Sequence, residues 1–130
     1  MNREALLEPI IRLARRGTSL SRFDVLKSLE NWDVTPLAIN DEHIGTVINN
    51  GPEIHMAFVE DWRPTFSTRG MIHGVIAPLL EQHSFLTTRV KHEHRHQQQF
   101  VQRMGFMPTW KDDLFSYYML TKLPFERKAA

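Results

Sequence analysis

The spacing of apolar residues changes near residue 33, and this change limits the chain to a mixed fold that begins with helices. Between residues 3 and 16 apolar side chains recur every three or four positions, which places them on one face of a helix. Gly17 suits the left-handed conformation that ends such a helix. Ser21, with Asp24 three residues later, predicts the start of a second helix. The apolar positions of that helix are Phe23, Leu26 and Leu29.

Beyond this change the apolar residues are mostly β-branched and lie in short segments separated by turn residues. Residues 34–39 and 44–48 predict two antiparallel strands joined by a polar turn. Pro36 cannot donate to a ladder, so the first of these strands is expected at a sheet edge or at a bulge. The turn residues 49–52 (Asn-Asn-Gly-Pro) lead into a third strand, 53–60, whose apolar residues lie on both faces, as in a central strand.

The second half of the chain predicts helices and strands in alternation. It contains, in order, a helix over 69–83, a strand over 85–90, a short helix over 94–104 and a last strand over 114–120. Pro78 lies inside the first helix and predicts a kink or a shorter helix. A strand–helix–strand unit makes a right-handed crossover between parallel strands. The predicted fold class is α/β, with a mixed, mostly antiparallel sheet, a central parallel strand–helix–strand crossover and helices on both faces.

Length and composition predict one domain over residues 1–130, with a helical segment (1–32), a sheet core (33–121) and a tail (122–130). The charge balance, 16 − 15 = +1, supplies no strong field for a nucleic acid or an anionic membrane. The chain has no cysteine, which excludes disulfides, thiolate zinc sites and cysteine nucleophiles. No apolar run approaches the roughly 20 residues that span a bilayer. We therefore expect a soluble, cytoplasmic protein without nucleic-acid or membrane partners.

The heptapeptide 100–106 (Phe-Val-Gln-Arg-Met-Gly-Phe) ends the last helix in Gly-Phe. This motif, with the order of elements over residues 33–121, resembles the GNAT superfamily of acyl-CoA-dependent N-acyltransferases. More closely, the chain is similar to GNAT-like proteins of tailed bacteriophages, including internal virion proteins of short-tailed phages. The resemblance implies that an active form of the chain would use acetyl-CoA, held in a gap between two central strands.

The resemblance also implies that the loop before the main helix holds the pyrophosphate of acetyl-CoA on backbone N–H groups. In the family two positions of this loop are small, whereas here they are Phe66 and Thr68. Pro64 removes one further N–H donor. A plain N-cap at Ser67 or Thr68 is the alternative interpretation of the loop. The cofactor-binding residues that the resemblance implies are Arg63, Ser67, Thr68, Arg69 and Gly70.

The catalytic groups that the resemblance implies are changed as well. The family's tyrosine acid stands four residues before the Gly of Gly-Phe, and this position is Val101 here. The family's base near the end of the central strand would be Glu60 or Asp61, and only one of the two can face the substrate. On the last strand, Tyr117 or Tyr118 could replace the acid or could simply pack the sheet. The candidate catalytic residues are Glu60, Asp61 and Tyr117.

Histidines alternate with charged residues over positions 92–96. Three imidazoles on one side of a strand could bind zinc, but this segment lies where a strand gives way to a helix. Lys91 and Arg95 would also repel a cation, so a hydrated, pH-sensitive loop is predicted rather than a metal site. His94 stands where the family often has Asn. His55, on the central strand, is the histidine best placed for function, with a hydrogen-bonded core histidine as the alternative.

Two classes of function remain open. One is an acetyl-CoA-dependent N-acetyltransferase acting on an unknown amine, since positioning of the reactants alone supplies some activity. The altered loop and the missing acid favour the other, a structural, assembly or internal virion protein that keeps the fold without efficient catalysis. Trp62, Phe66 and Trp110, if exposed, would favour protein contacts. The expected partners are other virion or host proteins, or a second copy of the chain, in the host cytoplasm or the virion.

Overall fold

The computed structural model describes residues 2–39, 41–59 and 72–123. Over the first half the elements are α1 (Arg3–Arg15), α2 (Arg22–Ser28), β1 (Asp33–Ile39), β2 (Glu42–Asn50) and β3 (Glu53–Phe58). Over the second half they are a π-helical segment (Ile72–Ile76) continued by α3 (Ala77–His83), then β4 (Leu86–Lys91), α4 (Arg95–Arg103), β5 (Met107–Lys111) and β6 (Phe115–Leu120).

The strands of the described residues form a six-stranded sheet in the order β1-β2-β3-β4-β6-β5. β3 and β4 are the parallel pair: Glu53 lies opposite Thr87, and the Thr87 N–H donates to the carbonyl of Pro52 over 2.9 Å. The pairs β1–β2, β4–β6 and β5–β6 are antiparallel. The predicted fold class, a mixed and mostly antiparallel α/β sheet with one parallel crossover, is confirmed.

Strand β5 was not predicted, and its omission from the predicted order is an error. β5 pairs with β6 as the outermost strand at its end of the sheet. All five of its residues are exposed and the second is Pro108, so it shows neither the alternation nor the apolar content by which a strand is recognised. Its register against β6 shifts between Pro108 and Trp110, which makes a bulge at Thr109.

The described residues divide into two compact units. The first contains the residues up to Asn50 together with 54–59, and the second contains 51–53 together with 72–123. In the first unit one buried cluster joins α1 and α2 to β2 and β3: Leu7, Ile10, Ile11, Val25, Leu29, Ile48 and Ala57. In the second unit the buried apolar residues are Ile76, Leu86, Val90, Phe100, Val101, Met104, Phe106, Tyr118 and Leu120.

Helix α2 begins where the sequence predicts, and Leu26 and Leu29 pack in or against the core as predicted, but Phe23 does not. Ser21 and Asp24 form the predicted capping box, with each side chain accepting from the other residue's backbone N–H. Phe23, predicted on the apolar face, is 70% exposed, whereas Val25 and Leu29 are buried. Val25 and Leu29 are four residues apart and therefore share one face, while Phe23 lies two residues from Val25 and points away.

The edge-strand alternative predicted for Pro36 is confirmed, and the nearby bulge lies on the neighbouring strand. β1, which contains Pro36, is the outer strand at the other end of the sheet. Leu37 pairs with Gly45 and Ala38 with His43, so the intervening residue on β2 makes a bulge. The bulge lets the edge strand twist without continuing a regular ladder.

Pro78 lies where the helix before β4 changes type. The predicted helix over 69–83 is described from Ile72, first as a π-helix and from Ala77 as α3. Pro78, in the first turn of α3, has no N–H to donate to the carbonyl four residues earlier, which explains why regular α-helix begins only there. Among the helices of the described ranges, none is long and apolar enough to cross a membrane.

Candidate functional site

Most of the predicted acyl-CoA site falls on residues outside the described part of the chain. These residues are Glu60, Asp61, Arg63, Ser67, Thr68, Arg69 and Gly70, and Trp62 and Phe66 lie in the same segment. Their predicted roles remain predictions. The candidates that the structure does describe lie on α4, in the 92–96 segment, on the hairpin of β5 and β6 and, for His55, on β3.

The Gly-Phe motif closes α4 with a complete C-terminal cap. Gly105, at φ 104°, donates its N–H to the carbonyl of Gln102 over 3.0 Å, and Phe106 donates to the carbonyl of Val101 over 3.1 Å. This pair of bonds is the Schellman motif, in which a glycine turns the chain out of the helix. Val101 and Phe106 are both buried, as the hydrophobic contact of that motif requires. The motif therefore fixes the end of α4 and the position of Val101.

A tyrosine hydroxyl from β6 lies beside α4, next to the position where the family resemblance implies an acid. The Tyr118 hydroxyl donates to Oε1 of Gln98 over 3.1 Å and accepts from Nε2 of Gln102 over 3.4 Å. Gln98 and Gln102 are one turn apart on α4 and flank Val101 in the sequence. Val101 itself cannot transfer a proton. Tyr118 thus brings a buried hydroxyl, which can donate a proton, to this face of α4.

The amide of Gln98 is held in one orientation. Its Nε2 donates to the carbonyls of His92, over 2.8 Å, and Lys91, over 3.2 Å. Since carbonyls only accept, the nitrogen must face them, and the amide oxygen is left for Tyr118. The end of β4, the start of α4 and the Tyr118 hydroxyl are therefore joined in one hydrogen-bonded chain.

Thr88 lies on β4 opposite Tyr118, on the same face of the sheet. It is 7% exposed, and its hydroxyl has no hydrogen-bond partner within residues 2–39, 41–59 and 72–123. A buried hydroxyl without a partner carries a desolvation penalty that a bound polar group would relieve. Thr88 and Tyr118 together present two hydroxyls toward one side of this sheet.

Tyr117, the tyrosine predicted as a candidate acid, points to the opposite face of β6. Its ring stacks on Trp110, with centroids 4.4 Å apart and planes 2° apart, and its hydroxyl donates to Oδ2 of Asp112 over 2.9 Å. Hydrogen bonds from the N–H groups of Phe115 and Leu114, followed by that from Tyr117, hold the pKa of the Asp112 carboxyl below its ordinary value of 3.8. Tyr117 thus lies on β6 with its hydroxyl bound to the turn of the β5–β6 hairpin, on the face opposite Tyr118.

The alternating histidines of the 92–96 segment do not converge. His92 Nε2 donates to the carbonyl of Asp112 over 2.7 Å, while its Nδ1 lies 3.1 Å from the hydroxyl of Ser116. His94 precedes the first residue of α4, and His96 is exposed on that helix. No group of three potential metal ligands occurs among the described residues. His92 is therefore a structural residue that ties the end of β4 to the hairpin.

Two histidines of the first unit have defined neighbours. The ring of His55, the histidine predicted as best placed for function, lies 5.5 Å from the ring of Trp32, centroid to centroid, at 47°. His43 Nε2 lies 3.1 Å from the Thr46 hydroxyl, which in turn donates to the carbonyl of Leu6 on α1. Thr46 has no exposed surface, so this chain of bonds satisfies a polar group inside the first unit.

No family model matches the chain, and no curated protein matches it in sequence. Solved structures do match. The Campylobacter jejuni N-acetyltransferase PseH in complex with acetyl coenzyme A is 14% identical, with a TM-score of 0.64 over 94% of this chain and 93% of that one. A Bacillus subtilis acetyltransferase in complex with CoA is 13% identical, with a TM-score of 0.66 over 95% of each chain. An acetyltransferase from Thermus thermophilus is 17% identical, with a TM-score of 0.65 over 90% of this chain and 89% of that one.

The chain has the fold of the GNAT N-acetyltransferases. This finding agrees with the fold that the order of elements and the Gly-Phe motif predict. At identities of 17% or less the similarity is one of fold, and the chemistry must be argued from the side chains of this chain.

Sequence reasoning did not identify the Tyr118–Gln98–Gln102 group within this GNAT fold. The signal was present in the spacing. Gln98 and Gln102, four residues apart, share a helix face, and alternation along β6 places Tyr118 on the opposite face from Tyr117. Which tyrosine faces α4 depends on the register of β6 against β4, and only the structure supplies that register.

Proposed function

We propose that this chain binds acetyl-CoA and transfers the acetyl group to an amine, with Tyr118 as the proton donor. The placement of the Tyr118 hydroxyl between Gln98 and Gln102 on α4 is the observation that carries the proposal. The GNAT fold supports it, since two of the similar structures hold acetyl-CoA or CoA. The partnerless buried hydroxyl of Thr88, next to Tyr118, fits a polar ligand on this side of the sheet.

Acetyl-CoA, when bound, supplies an acyl thioester. In the transfer a C–N bond forms, the C–S bond breaks, the amine loses a proton and the sulfur gains one. Tyr118 would hold the second proton at Oη, and the N–H of Gln102 would stabilise the phenolate left behind. Glu60 or Asp61 would take the first proton, and residues 63–70 would hold the pyrophosphate, as predicted from sequence.

The fixed amide of Gln98 gives this arrangement its geometry. Because two backbone carbonyls hold its nitrogen, Gln98 can only accept from Tyr118, and this keeps the phenol in one position before the reaction. Gln98 accepts the one hydroxyl proton of Tyr118, so its role is to position the donor until the leaving sulfur takes that proton.

Phenylalanine substitutions at the two adjacent tyrosines test the proposal. Thiol release from acetyl-CoA would be measured with a panel of primary amines. We expect Tyr118→Phe to lower kcat about 100-fold or more without raising the KM for acetyl-CoA, since general acids contribute on that scale. Tyr117→Phe is the matched control, because it removes the neighbouring hydroxyl, which bonds to Asp112 in the hairpin turn. If only Tyr117→Phe causes the loss, the acid is the residue predicted from sequence, and our assignment is wrong.

A second function is favoured by Val101. A buried valine at the position where the family resemblance implies an acid, together with Phe66 and Thr68 in the loop, suits a chain that keeps the fold without efficient catalysis. Such a protein would serve in assembly or as an internal virion protein, as the resemblance to phage proteins implies. Co-purification with particles, combined with no binding of acetyl-CoA at about 1 mM, would favour this function over the first.

A further inference from the structure

The side chain of His92 lies between the turn of the β5–β6 hairpin and the segment that leads into α4. Its ring Nε2 donates to the backbone carbonyl of Asp112 over 2.7 Å, and its Nδ1 lies 3.1 Å from the hydroxyl of Ser116. A carbonyl only accepts, so Nε2 carries the proton, and in the neutral ring Nδ1 accepts from the Ser116 hydroxyl. The two contacts together fix the tautomer and the orientation of the imidazole.

The turn that the ring contacts is itself fixed by hydrogen bonds. The N–H of Asp112 donates to the carbonyl of Phe115 over 3.0 Å. Oδ1 of Asp112 accepts from the N–H groups of Leu114, over 2.9 Å, and Phe115, over 2.7 Å, which is an Asx-type turn. The backbone N–H of His92 also donates to the carbonyl of Leu114 over 3.0 Å. His92 is thus held to this hairpin through its N–H and both ring nitrogens.

The backbone carbonyl of His92 carries this fixed position to α4. It accepts from Nε2 of Gln98 over 2.8 Å, the shorter of the two bonds that hold this amide nitrogen. A shift of His92 away from the hairpin would leave Nε2 only the longer bond, to the carbonyl of Lys91, and the amide could then rotate. A rotated amide would present N–H instead of oxygen to Tyr118, whose hydroxyl now donates to Oε1. The direction of the Tyr118 hydroxyl proton therefore depends on the position of His92.

We propose that His92 is a positioning residue, which holds the Tyr118 hydroxyl in its donating geometry by way of Gln98. The contacts run from the hairpin turn through the ring and carbonyl of His92 to the amide of Gln98 and so to Tyr118. Carbonyl and amide oxygens only accept, so each of these hydrogen bonds has one possible direction and the whole order of donors is fixed. This inference rests on the proposed function, because it assigns a role in placing the same proton donor.

Substitutions that keep or remove a donor at the Nε2 position of His92 test the proposal. Glutamine places an amide nitrogen near that position and can donate to the Asp112 carbonyl, whereas leucine cannot. In the acetyl-transfer assay we expect His92→Leu to lower kcat at least about tenfold with an unchanged KM for acetyl-CoA, since a misplaced catalytic group slows the reaction without weakening binding. His92→Gln should keep kcat within about threefold of wild type. His96→Leu is the matched control, because His96 is exposed on α4.

The side-chain amide of Gln98 gives a readout that needs no activity. Its NMR signals, assigned by their loss in Gln98→Glu, report how fast the amide protons exchange with water. We expect this exchange to be at least about tenfold faster in His92→Leu than in wild type or His92→Gln, because a held amide exchanges only after it opens. The backbone N–H of Met104, bound to the carbonyl of Phe100 within α4, is the internal control and should not change. A general loss of stability would instead raise both exchange rates together.

The two readouts distinguish failure of this inference from failure of the proposed function. Equal exchange of the Gln98 amide in wild type and His92→Leu would overturn the inference, whether or not the chain transfers acetyl groups. Equal loss of kcat in His92→Gln and His92→Leu would also contradict it, since the donor would then not matter. An inactive wild type would overturn the proposed function and with it the catalytic role of His92, while the exchange rates would still decide whether His92 holds Gln98.

A milder variant serves if circular dichroism shows that His92→Leu does not fold. Ser116→Ala keeps the imidazole and its bond to the hairpin turn but removes the partner of Nδ1. We expect it to lower kcat about two- to fivefold, the effect of one lost hydrogen bond, and to speed exchange of the Gln98 amide. Unchanged kcat together with unchanged exchange in Ser116→Ala would contradict the proposal.

Discussion

At the scale of single residues, Gly45 on β2 lies so close to neighbouring backbone that no side chain fits there. A Cβ at this position would lie 2.7 Å from the carbonyl oxygen of Ala57 and 3.2 Å from Cα of Phe58, both of them backbone atoms. Backbone cannot rotate away as a flexible side chain can, so the strands would have to separate. The close approach of the Ala57–Phe58 backbone therefore requires glycine at position 45.

Gly45→Ala should destabilise the chain by about 1–3 kcal/mol, the usual cost of overpacking, in urea unfolding followed by fluorescence. Gly74→Ala is the matched control. A Cβ at Gly74 meets nothing within 4 Å, and alanine is the better helix former, so stability should stay the same or rise. Equal stability of the two variants would contradict the close contact at Gly45.

Asp112 gives the stability of the chain a dependence on acid pH. Its carboxylate accepts from two N–H groups and the Tyr117 hydroxyl, which lowers its pKa in the folded state below the ordinary value of 3.8. A lowered folded pKa means that the stabilisation is present above the unfolded pKa and is lost as pH falls through the folded pKa.

The measurement is urea unfolding of wild type and Asp112→Asn between about pH 6 and pH 2, where carboxyl groups titrate. The free energy of unfolding of wild type should exceed that of Asp112→Asn by a constant amount in the upper part of this range. This difference should shrink below the unfolded pKa of Asp112. Asp113→Asn removes the same charge from the same turn and should leave this pH-dependent difference in place. A wild-type advantage that grows on acidification would contradict the assignment.

At the scale of elements, local sequence signals predicted where helices begin and end better than which helix face is buried. Ser21 with Asp24, and Gly105 after α4, act through bonds between near neighbours, so the sequence carries them fully. The buried face of α2 depends on what α1 and the strands present to it, so Phe23 was placed wrongly. β5 was missed because an edge strand with Pro108 and no buried residue leaves no periodic pattern.

Substitutions at two buried threonines distinguish a role in protein stability from a role in ligand binding. The Thr46 hydroxyl, on β2, joins His43 to the carbonyl of Leu6 on α1, so Thr46→Val should cost about 1 kcal/mol in urea unfolding. The Thr88 hydroxyl, on β4, has no partner in the described ranges, so Thr88→Val should leave stability unchanged or raise it by up to about 1 kcal/mol. Acetyl-CoA affinity should fall in Thr88→Val and not in Thr46→Val. Equal affinity in both variants would remove Thr88 from the proposed site.

At the scale of the whole molecule, the fold was predictable and the site only in part. The order of elements and the Gly-Phe motif sufficed for a GNAT fold, because many residues contribute to that pattern. The site depends on a few side chains whose distances come from strand register, such as Tyr118 against α4. The predicted roles of Glu60, Asp61 and the 63–70 loop concern residues outside the described ranges.

Ligand binding should raise the melting temperature of the whole chain. At a tenfold excess over Kd, acetyl-CoA should stabilise the folded state by about 1.4 kcal/mol, a shift of roughly 5 °C for a chain of this length. Acetate at the same concentration is the control and should shift nothing. The absence of any shift at about 1 mM acetyl-CoA would favour the non-catalytic function instead.

The division of the chain into units has a consequence for fragments. Residues 51–53 belong with the second unit, although the backbone before and after them belongs to the first. Cleavage between β3 and β4 would therefore leave Glu53 on one piece and its neighbour Thr87 on the other. Neither piece would contain all of the second unit, so that unit should be complete only when the halves are mixed. The chain is in this respect suited to a split-protein complementation assay rather than to expression of either half alone.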